Sequence, residues 1–175
     1  MELDIGHQFL RHRLYRLKDT PEFWTIDFVL QAHSRRFVFD AEDAGGVRPL
    51  FDRAGVIRFR ERPWRPREME ARLSELQDTY RALRPWVIKQ IRRGKFVEAF
   101  GYYERYVLRP LVKTLRLAYV PRKSDYYVKD IYRDLPAEII RELETLYQVP
   151  DLEAFQLRLK KADQLFEAAL DLGAR

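Results

Sequence analysis

The aspartate at position 27 is the residue whose setting points most directly to chemistry. It lies in the stretch 22–31, EFWTIDFVLQ, whose aromatic and β-branched residues predict a β-strand. Aspartate is depleted in strand interiors, and a carboxylate buried there is costly unless it is paired or binds a metal. Asp27 would then be an oxygen ligand for Mg²⁺, or a base beside the ion. The alternative is an aspartate that faces solvent or pairs with Arg13 or Arg36 on a neighbouring strand.

Two further carboxylates stand at the beginning of the chain, in Glu2-Leu3-Asp4. Their i, i+2 spacing puts both on one face if the segment is extended. With a third acid such as Asp27 on a neighbouring strand, they would hold a metal–phosphate complex. The alternative is an ordinary charged chain terminus.

The stretch from Arg81 to Lys123 carries the excess positive charge of the chain. It holds twelve basic residues against two acidic ones, 12 − 2 = +10, whereas the whole protein carries +6. Its apolar residues recur at three- to four-residue steps, which predicts a helical core element with a cationic face. Such a face suits nucleic acid, nucleotide phosphate or an acidic partner, and it equally fits a basic surface that is simply solvated.

Aromatic residues accompany this basic stretch. The two groups are Tyr102, Tyr103 and Tyr106, and Tyr126, Tyr127 and Tyr132. Tyrosines so placed would stack on bases, or they belong to the helical core. The three histidines have no metal-ligand spacing, and the scattered glycines form no phosphate-binding loop. With no cysteine in the chain, disulfides and thiolate metal sites are excluded.

Residues 1–62 predict β-structure. Strand-like runs alternate with turn signals and lie at residues 10–17, 22–31, 37–40 and 56–59. The run 37–40 would pair back as a hairpin, and residues 52–55 predict a turn with glycine at its last position. Pro63 and Pro66 mark the boundary of this part, because proline disrupts regular helix and central strand.

Residues 67–175 predict a helical bundle, since the hydrophobic period changes from two to 3.6. Five helices are expected, from Met69 to Ile91, from Lys95 to Tyr119, from Asp125 to Arg133, from Pro136 and from Pro150. The first would be kinked or restarted at Pro85 and the second kinked at Pro110. The sequence therefore predicts an α+β protein, with a small antiparallel N-terminal sheet followed by a C-terminal bundle of about five helices.

Several stretches resemble those of a known family. Ile26-Asp27 between hydrophobic residues and Leu50-Phe51-Asp52-Arg-Ala-Gly are similar to the latter half of a nucleotidyltransferase domain of the polymerase-β superfamily. The helical half resembles the C-terminal bundle of aminoglycoside nucleotidyltransferase-like proteins. Four features carry that second likeness: Trp86, Arg92-Arg93-Gly94-Lys95, Leu108-Arg109-Pro-Leu111 and Tyr132-Arg-Asp-Leu-Pro136.

The resemblance implies transfer of a nucleotidyl group from a nucleoside triphosphate to a small hydroxyl-bearing acceptor. In the family a Gly-Ser turn, an Asp-x-Asp pair and a third Asp hold Mg²⁺ and the triphosphate, and Asp27 matches the third Asp. No Gly-Ser pair occurs in this chain and no Asp-x-Asp precedes Asp27, so Glu2-Leu3-Asp4 is an imperfect stand-in. The chain is then a degenerate relative, or one shortened by a late start codon or by truncation, and its catalytic competence stays open.

Two functions therefore compete. The first is a nucleotidyltransferase-like protein in which Asp27 binds Mg²⁺ and nearby cations hold the phosphates of the nucleoside triphosphate. The cations expected in that role are Lys89, Arg92, Arg93 and Lys95. The second is a non-catalytic binding module that docks the basic helical face 81–123 on nucleic acid or an acidic protein.

Location and assembly follow from simpler signals. The sequence has no secretory signal and no run of about 18 apolar residues that could cross a bilayer, so a cytoplasmic protein without a membrane partner is expected. If the family's N-terminal strands are missing, a strand edge near residues 10–40 stays exposed. Exposed edges pair with other chains, which predicts a homodimer or a partner complex.

Overall fold

A computed structural model describes residues 2–5, 8–32, 37–40, 48–60 and 66–174. The chain divides into two compact units, Met1–Pro63 and Trp64–Arg175. The described strands belong to the first unit and the described helices to the second. The predicted α+β class, with a small sheet first and helices after it, is confirmed.

The first unit contains a three-stranded antiparallel sheet in the order β1-β2-β3. Its strands are β1 (Glu2–Ile5), β2 (Gln8–Arg16) and β3 (Thr25–Gln31). The register places Asp27 opposite Leu14 and Phe28 opposite Arg13. Because side chains alternate between the two faces of a sheet, this register puts Asp27 and Phe28 on opposite faces.

Two further strands, β4 (Phe37–Asp40) and β5 (Ile57–Arg60), form a parallel pair. The hairpin expected for residues 37–40 is therefore wrong, since β4 pairs with β5 among the described strands. Alternation cannot reveal this, because a strand shows the same period of two whichever partner it takes. The rings of Phe39 and Phe59, which are directly opposite, lie 5.9 Å apart and give the pair a cross-strand aromatic contact.

The turn before β5 is built on Asp52. Its carboxylate accepts the N–H of Val56 at 2.9 Å and that of Ile57 at 3.0 Å, while Gly55 takes φ +60°. The hydrogen bond from Ile57, followed by the weaker effect of the one from Val56, favours the ionised carboxylate and lowers the pKa of Asp52. Within the described residues, this aspartate has a complete local role as a turn cap.

Six α-helices make up most of the described part of the second unit. They are α1 (Pro66–Arg92), α2 (Phe96–Tyr103), α3 (Arg109–Tyr119), α4 (Ile131–Asp134), α5 (Ala137–Tyr147) and α6 (Leu152–Gly173). The starts expected at Pro136 and Pro150-Asp151 are confirmed, and the Asp151 carboxylate accepts the N–H of Ala154 at 2.7 Å as an N-cap. None of the helices in the described part of the chain has both the length and the apolar character that a bilayer crossing requires.

Helix α1 runs through Pro85 without a restart. Proline lacks the N–H that would bond to the carbonyl of Arg81, but both residues are exposed, so water can satisfy that carbonyl. The helix ends at Arg92, and Gly94 after it takes φ +70° and donates its N–H to the carbonyl of Ile91, while Lys95 donates its N–H to the carbonyl of Gln90. These two bonds are the Schellman arrangement, which needs a left-handed residue at the glycine position.

The long second helix expected from Lys95 to Tyr119 is divided by a π-helical turn, Glu104–Leu108. There the N–H of Arg109 bonds to the carbonyl of Glu104, five residues back rather than four. Pro110 consequently falls in the first turn of α3, where its missing N–H costs no hydrogen bond. The disturbance that the sequence assigns to Pro110 is real, but it takes the form of an inserted residue before the proline.

The short helix expected at 125–133 is wrong. A 3₁₀ turn, Pro121–Tyr126, precedes two residues with positive φ, Tyr127 and Asp130, and only then does α4 begin. Arg116 holds this segment, since its guanidinium donates to the carbonyls of Tyr127 (2.5 Å) and Lys129. These bonds satisfy two backbone carbonyls of a segment that is not helical.

Candidate functional site

Asp27 lies on β3 with a side chain that is 61% exposed. Its carboxylate contacts the Nε2 atom of His12, which the register places on the same face of the sheet. The solvent-facing alternative for Asp27 therefore describes its position. Its partner among the described residues is His12 instead of Arg13, and Arg36, the other partner considered, lies outside the described residues. Arg13 stands opposite Phe28, on the other face. Among the described residues, no three histidine or acidic side chains gather as a metal site would require.

Glu2 and Asp4 lie on β1, where the structure describes the backbone and their side chains lie outside the described part. The register pairs Glu2 with Arg11 and Asp4 with Phe9. These positions alternate with Leu10, His12 and Leu14, so positions 2 and 4 belong to the opposite strand face from position 27. A metal site built jointly from Glu2, Asp4 and Asp27 stays a prediction that this register does not favour.

The four predicted phosphate-binding cations separate into two groups. Lys89 and Arg92 are exposed on α1 and Arg93 follows directly after its end; the three line an open cleft of about 450 Å³ together with Pro85 and Ile88. Lys95 lies beyond the turn at Gly94, and its Nζ atom pairs with Glu98 at 2.7 Å. The structure thus brings three of the four together and gives the fourth an acidic partner.

Like charges at i, i+3 and i, i+4 on a helix destabilise it by about 0.2–0.5 kcal/mol per pair. Lys89 with Arg92 is such a pair on α1, Arg93 follows directly after the helix, and no ion pair to these three cations occurs among the described residues. The negative end of the helix dipole offsets part of this repulsion, because the cations stand near the C-terminus of α1. A bound anion would relieve the rest.

A row of aromatic rings lies beside these cations. The indole of Trp86 is 48% exposed and meets the ring of Tyr102 edge-on, with centroids 6.2 Å apart. Tyr102 in turn lies 5.5 Å from Tyr106 at an interplanar angle of 33°. We call Trp86, Tyr102 and Tyr106 the aromatic row. The row joins α1, α2 and the π turn into one surface.

Cations stand at both ends of the aromatic row. The Nζ atom of Lys89 lies 5.6 Å from the centre of the Trp86 ring, and the guanidinium of Arg105 lies 5.5 Å from that of Tyr106. Both distances are in the range of a cation–π interaction. By contrast Tyr103 is fully buried and donates its hydroxyl to the carbonyl of Leu146 at 3.1 Å. The predicted group of three tyrosines therefore divides into two half-buried rings, Tyr102 and Tyr106, of which Tyr102 also packs against the core, and one core ring, Tyr103.

The aromatic row leads into a second, larger cleft of about 550 Å³, which Tyr106 also lines. The cleft lies between α1 on one side and the π turn and α3 on the other, and the 3₁₀ turn closes one end. Its charged lining consists of Arg72, Glu75, Arg105, Arg109, Lys113 and Asp125. The lining charge is 4 − 2 = +2, so the cleft is cationic.

At least six of the twelve basic residues between positions 81 and 123 form ion pairs within the described part of the second unit. They are Arg81, Arg84, Lys95, Arg109, Arg116 and Lys123. Arg84 is held by both carboxylate oxygens of Asp163, at 2.7 and 2.5 Å. The net charge of +10 counted from the sequence therefore overstates the charge of the cationic face. The cations that remain for a ligand are those around the aromatic row and the cleft.

Arg116 is the clearest departure from the predicted basic face, because its side chain is 0% exposed. Its Nη1 atom donates to Asp134 at 3.0 Å, and Lys123 donates to the other oxygen of the same carboxylate at 2.5 Å. Burial alone would raise the pKa of Asp134, but the hydrogen bonds from Lys123 and Arg116 outweigh burial and lower it. Arg116 therefore organises the 3₁₀ turn and α4 from inside the unit.

Sequence reasoning missed Arg72 and the cleft that it lines. Arg72 precedes the basic stretch, and it reaches the cleft only because α1 packs beside α3; its Nη1 atom donates to Ser124 at 2.9 Å. The cleft residues run from Arg72 to Asp125, 125 − 72 = 53 positions apart, which no local pattern reports. The available signal was the pairing of Tyr106 with neighbouring arginines at 105 and 109.

No protein-family model, no curated protein and no solved structure matches this chain. The resemblance to nucleotidyltransferases accordingly stays a prediction based on the residues quoted above.

Proposed function

We propose that the helical unit binds single-stranded nucleic acid through the aromatic row and the cations around it. The observation that carries the proposal is the exposed Trp86 ring, which is linked through Tyr102 to Tyr106. A cation stands at each end of this row, Lys89 at Trp86 and Arg105 at Tyr106. Proteins that bind single strands combine a cationic groove along the backbone with aromatic rings on which bases stack.

A single strand fits this surface better than a duplex does. Bases can stack on protein rings only when they are not held in a base-paired duplex, as in single strands. Each stacked base contributes about 1–3 kcal/mol, and the contribution depends little on sequence because every base has a π face. Lys89, Arg92 and Arg93 would contact the phosphates, which makes the expected binding salt-dependent and largely independent of sequence.

The test is fluorescence anisotropy with a labelled oligothymidylate of about 15 nucleotides, titrated across a salt series. Trp86→Ala should weaken binding by about 1–3 kcal/mol, roughly 5- to 150-fold, through the loss of one stacked base. Leu157→Ala is the matched control, since Leu157 is 62% exposed on α6. Equal affinity of the Trp86 variant and the control would contradict the proposal.

The cations have their own readout. In Lys89→Gln/Arg92→Gln the slope of log K against log salt should become shallower by about 0.7 for each phosphate that the variant no longer neutralises. Arg141→Gln/Lys160→Gln removes two exposed charges elsewhere in the unit and should leave the slope unchanged. If the true partner is an acidic protein, this assay should show no oligonucleotide binding at any salt concentration.

A second proposal is the nucleotidyltransferase-like function, with Mg²⁺ and a nucleoside triphosphate as cofactors and a small hydroxyl compound as acceptor. Its support is the resemblance of the Asp27 strand together with the exposure of that carboxylate on an open sheet. A triphosphate at 100 times its Kd would add about 2.7 kcal/mol to stability, which at about 2–4 °C per kcal/mol is a shift of several degrees. A shift that requires Mg²⁺ and disappears in Asp27→Ala would support this function, and no shift would count against it. A cytoplasmic location goes with either proposal.

A further inference from the structure

The cleft of about 550 Å³ differs from the aromatic row in the kind of anion that it suits. Four cationic side chains and two acidic ones line it, and they converge on one concave space instead of lying along a surface. Internal phosphates of a nucleic acid carry one negative charge each, whereas a phosphomonoester carries about −1.5 to −2 at pH 7. The net charge of the lining is 4 − 2 = +2, or 4 − 3 = +1 when Glu104, which is bonded to Arg109, is counted; in both cases it is positive, as a site for a phosphomonoester requires.

The donors in the cleft are held in place and keep N–H groups free for a ligand. Arg72 donates from Nη1 to Ser124 at 2.9 Å, with Asp125 at 3.9 Å from the same atom. Arg109 donates from Nε to Glu104 at 3.1 Å, and its guanidinium lies 4.9 Å from the centre of the Tyr127 ring. These contacts orient both guanidinium groups and leave other N–H groups of each available, and guanidinium is the cation that phosphate binds with two parallel hydrogen bonds.

Glu104, the partner of Arg109, lies outside the cleft. It does not line the cavity, and its Oε1 atom accepts hydrogen bonds from Arg109 and from the hydroxyl of Tyr127 at 2.7 Å. Lys113, one turn further along α3, is exposed and forms no ion pair within the described residues. Lys113 and Arg105 are therefore the two cations in the cleft that have no carboxylate partner among the described residues, and Arg105 lies against the Tyr106 ring instead.

We propose that this cleft binds a phosphomonoester dianion, such as the terminal phosphate of a nucleic acid strand whose bases lie along the aromatic row. The link between the two surfaces is Tyr106, which belongs to the row and also lines the cleft. A strand stacked on Trp86 and Tyr102 would thus bring its end to Lys113 and Arg109. The inference about the strand end depends on the proposed function, whereas the phosphomonoester pocket itself does not, since a free mononucleotide carries the same group.

The experiment compares oligothymidylates of one length that differ only at their ends: 5′-phosphate, 3′-phosphate or hydroxyl at both. One of the two phosphorylated oligonucleotides should bind about tenfold tighter than the hydroxyl form, which corresponds to one added charge-assisted hydrogen bond. Lys113→Gln should bring the ratio of the two affinities, phosphorylated over hydroxyl form, to about one, and this ratio is the readout whatever the variant does to the hydroxyl form itself. Lys160→Gln, an exposed lysine on α6, is the matched control and should keep the preference.

Thymidine monophosphate forms the second arm, with binding followed by the ³¹P resonance of the nucleotide. Nucleotide binding that Lys113→Gln removes, without any oligonucleotide binding, would support the pocket and overturn the function proposed for the aromatic row. Equal affinities for phosphorylated and hydroxyl oligonucleotides, with no binding of the mononucleotide, would overturn the pocket while the row proposal stands. Because Lys113 is exposed, a folding defect is not expected, and unchanged far-UV circular dichroism of the variant verifies this.

Discussion

Replacing Asp134 by alanine should destabilise the helical unit more than the loss of any surface ion pair would. Asp134 is 4% exposed and is the only carboxylate among the described residues that contacts Arg116, which is itself 0% exposed. The variant would leave a buried guanidinium with two backbone carbonyls, those of Tyr127 and Lys129, as its remaining partners. Breaking a buried pair in this way costs about 3–5 kcal/mol.

The measurement is urea unfolding followed by far-UV circular dichroism. A loss of about 3–5 kcal/mol corresponds to a decrease in Tm on the order of 10 °C. Glu142→Ala is the matched control, because it removes the partly exposed pair with Lys161 at 2.6 Å and should cost about 0–1 kcal/mol. If Asp134→Ala costs no more than Glu142→Ala, the reasoning about the buried cluster is refuted.

The double variant Arg116→Met/Asp134→Leu separates charge from packing. An apolar pair removes the uncompensated charge, so it should recover much of the stability lost in Asp134→Ala. Lys123 can turn to solvent in this variant, since its side chain is already 28% exposed. Additive losses in the double variant would mean that the two residues act independently, contrary to the geometry.

Acid should weaken the same cluster. The folded-state pKa of Asp134 lies below its unfolded value of 3.8, so its contribution is fully present above that pH. The contribution is lost as the pH falls through the lower, folded-state pKa. Wild type should therefore lose more stability than Asp134→Ala as the pH decreases below about 4.

Three further outcomes are expected. Gly94→Ala should cost about 1–2 kcal/mol in urea unfolding, because φ is +70° there while a Cβ atom would meet open space; a smaller cost would mean that the turn relaxes. Asp163→Ala should cost more than Tyr80→Phe, since the aspartate holds Arg84 through two bonds as well as the Tyr80 hydroxyl at 2.8 Å; equal costs would contradict this. Among the described strands β3 has a partner on one side only, so a dimer through that edge is expected, and a monodisperse monomer in light scattering would count against it.

The sequence predicts those elements whose signal is local. Alternating and 3.6-residue patterns locate β2, β3 and the long helices, and proline and Asp151 mark where the last two helices begin. Elements that depend on distant partners are the ones missed. The parallel pairing of β4 with β5 and the π turn before Pro110 leave no distinct trace in hydrophobic periodicity.

In the candidate site, too, the sequence predicts the local features and misses those that depend on distant partners. Lys89, Arg92 and Arg93 are close in sequence, so the common helix side of the first two follows from 3.6-residue spacing. Arg116 looks like one more surface cation, because a fully buried arginine is recognised only when its acceptors, which lie 11 to 18 residues away, are known. The aromatic row requires the packing of α1 against α2, which decides that Trp86 and Tyr102 meet.

Stacking on Trp86 is the central claim, and tryptophan fluorescence tests it most directly. The chain has three tryptophans, so Trp24→Phe/Trp64→Phe leaves Trp86 as the single reporter. Titration with unlabelled oligothymidylate should quench this emission, and the quenching should saturate at the concentration at which anisotropy of a labelled strand also saturates. Binding detected by anisotropy with the Trp86 emission unchanged would contradict the account, because the strand would then contact the protein without stacking on this ring.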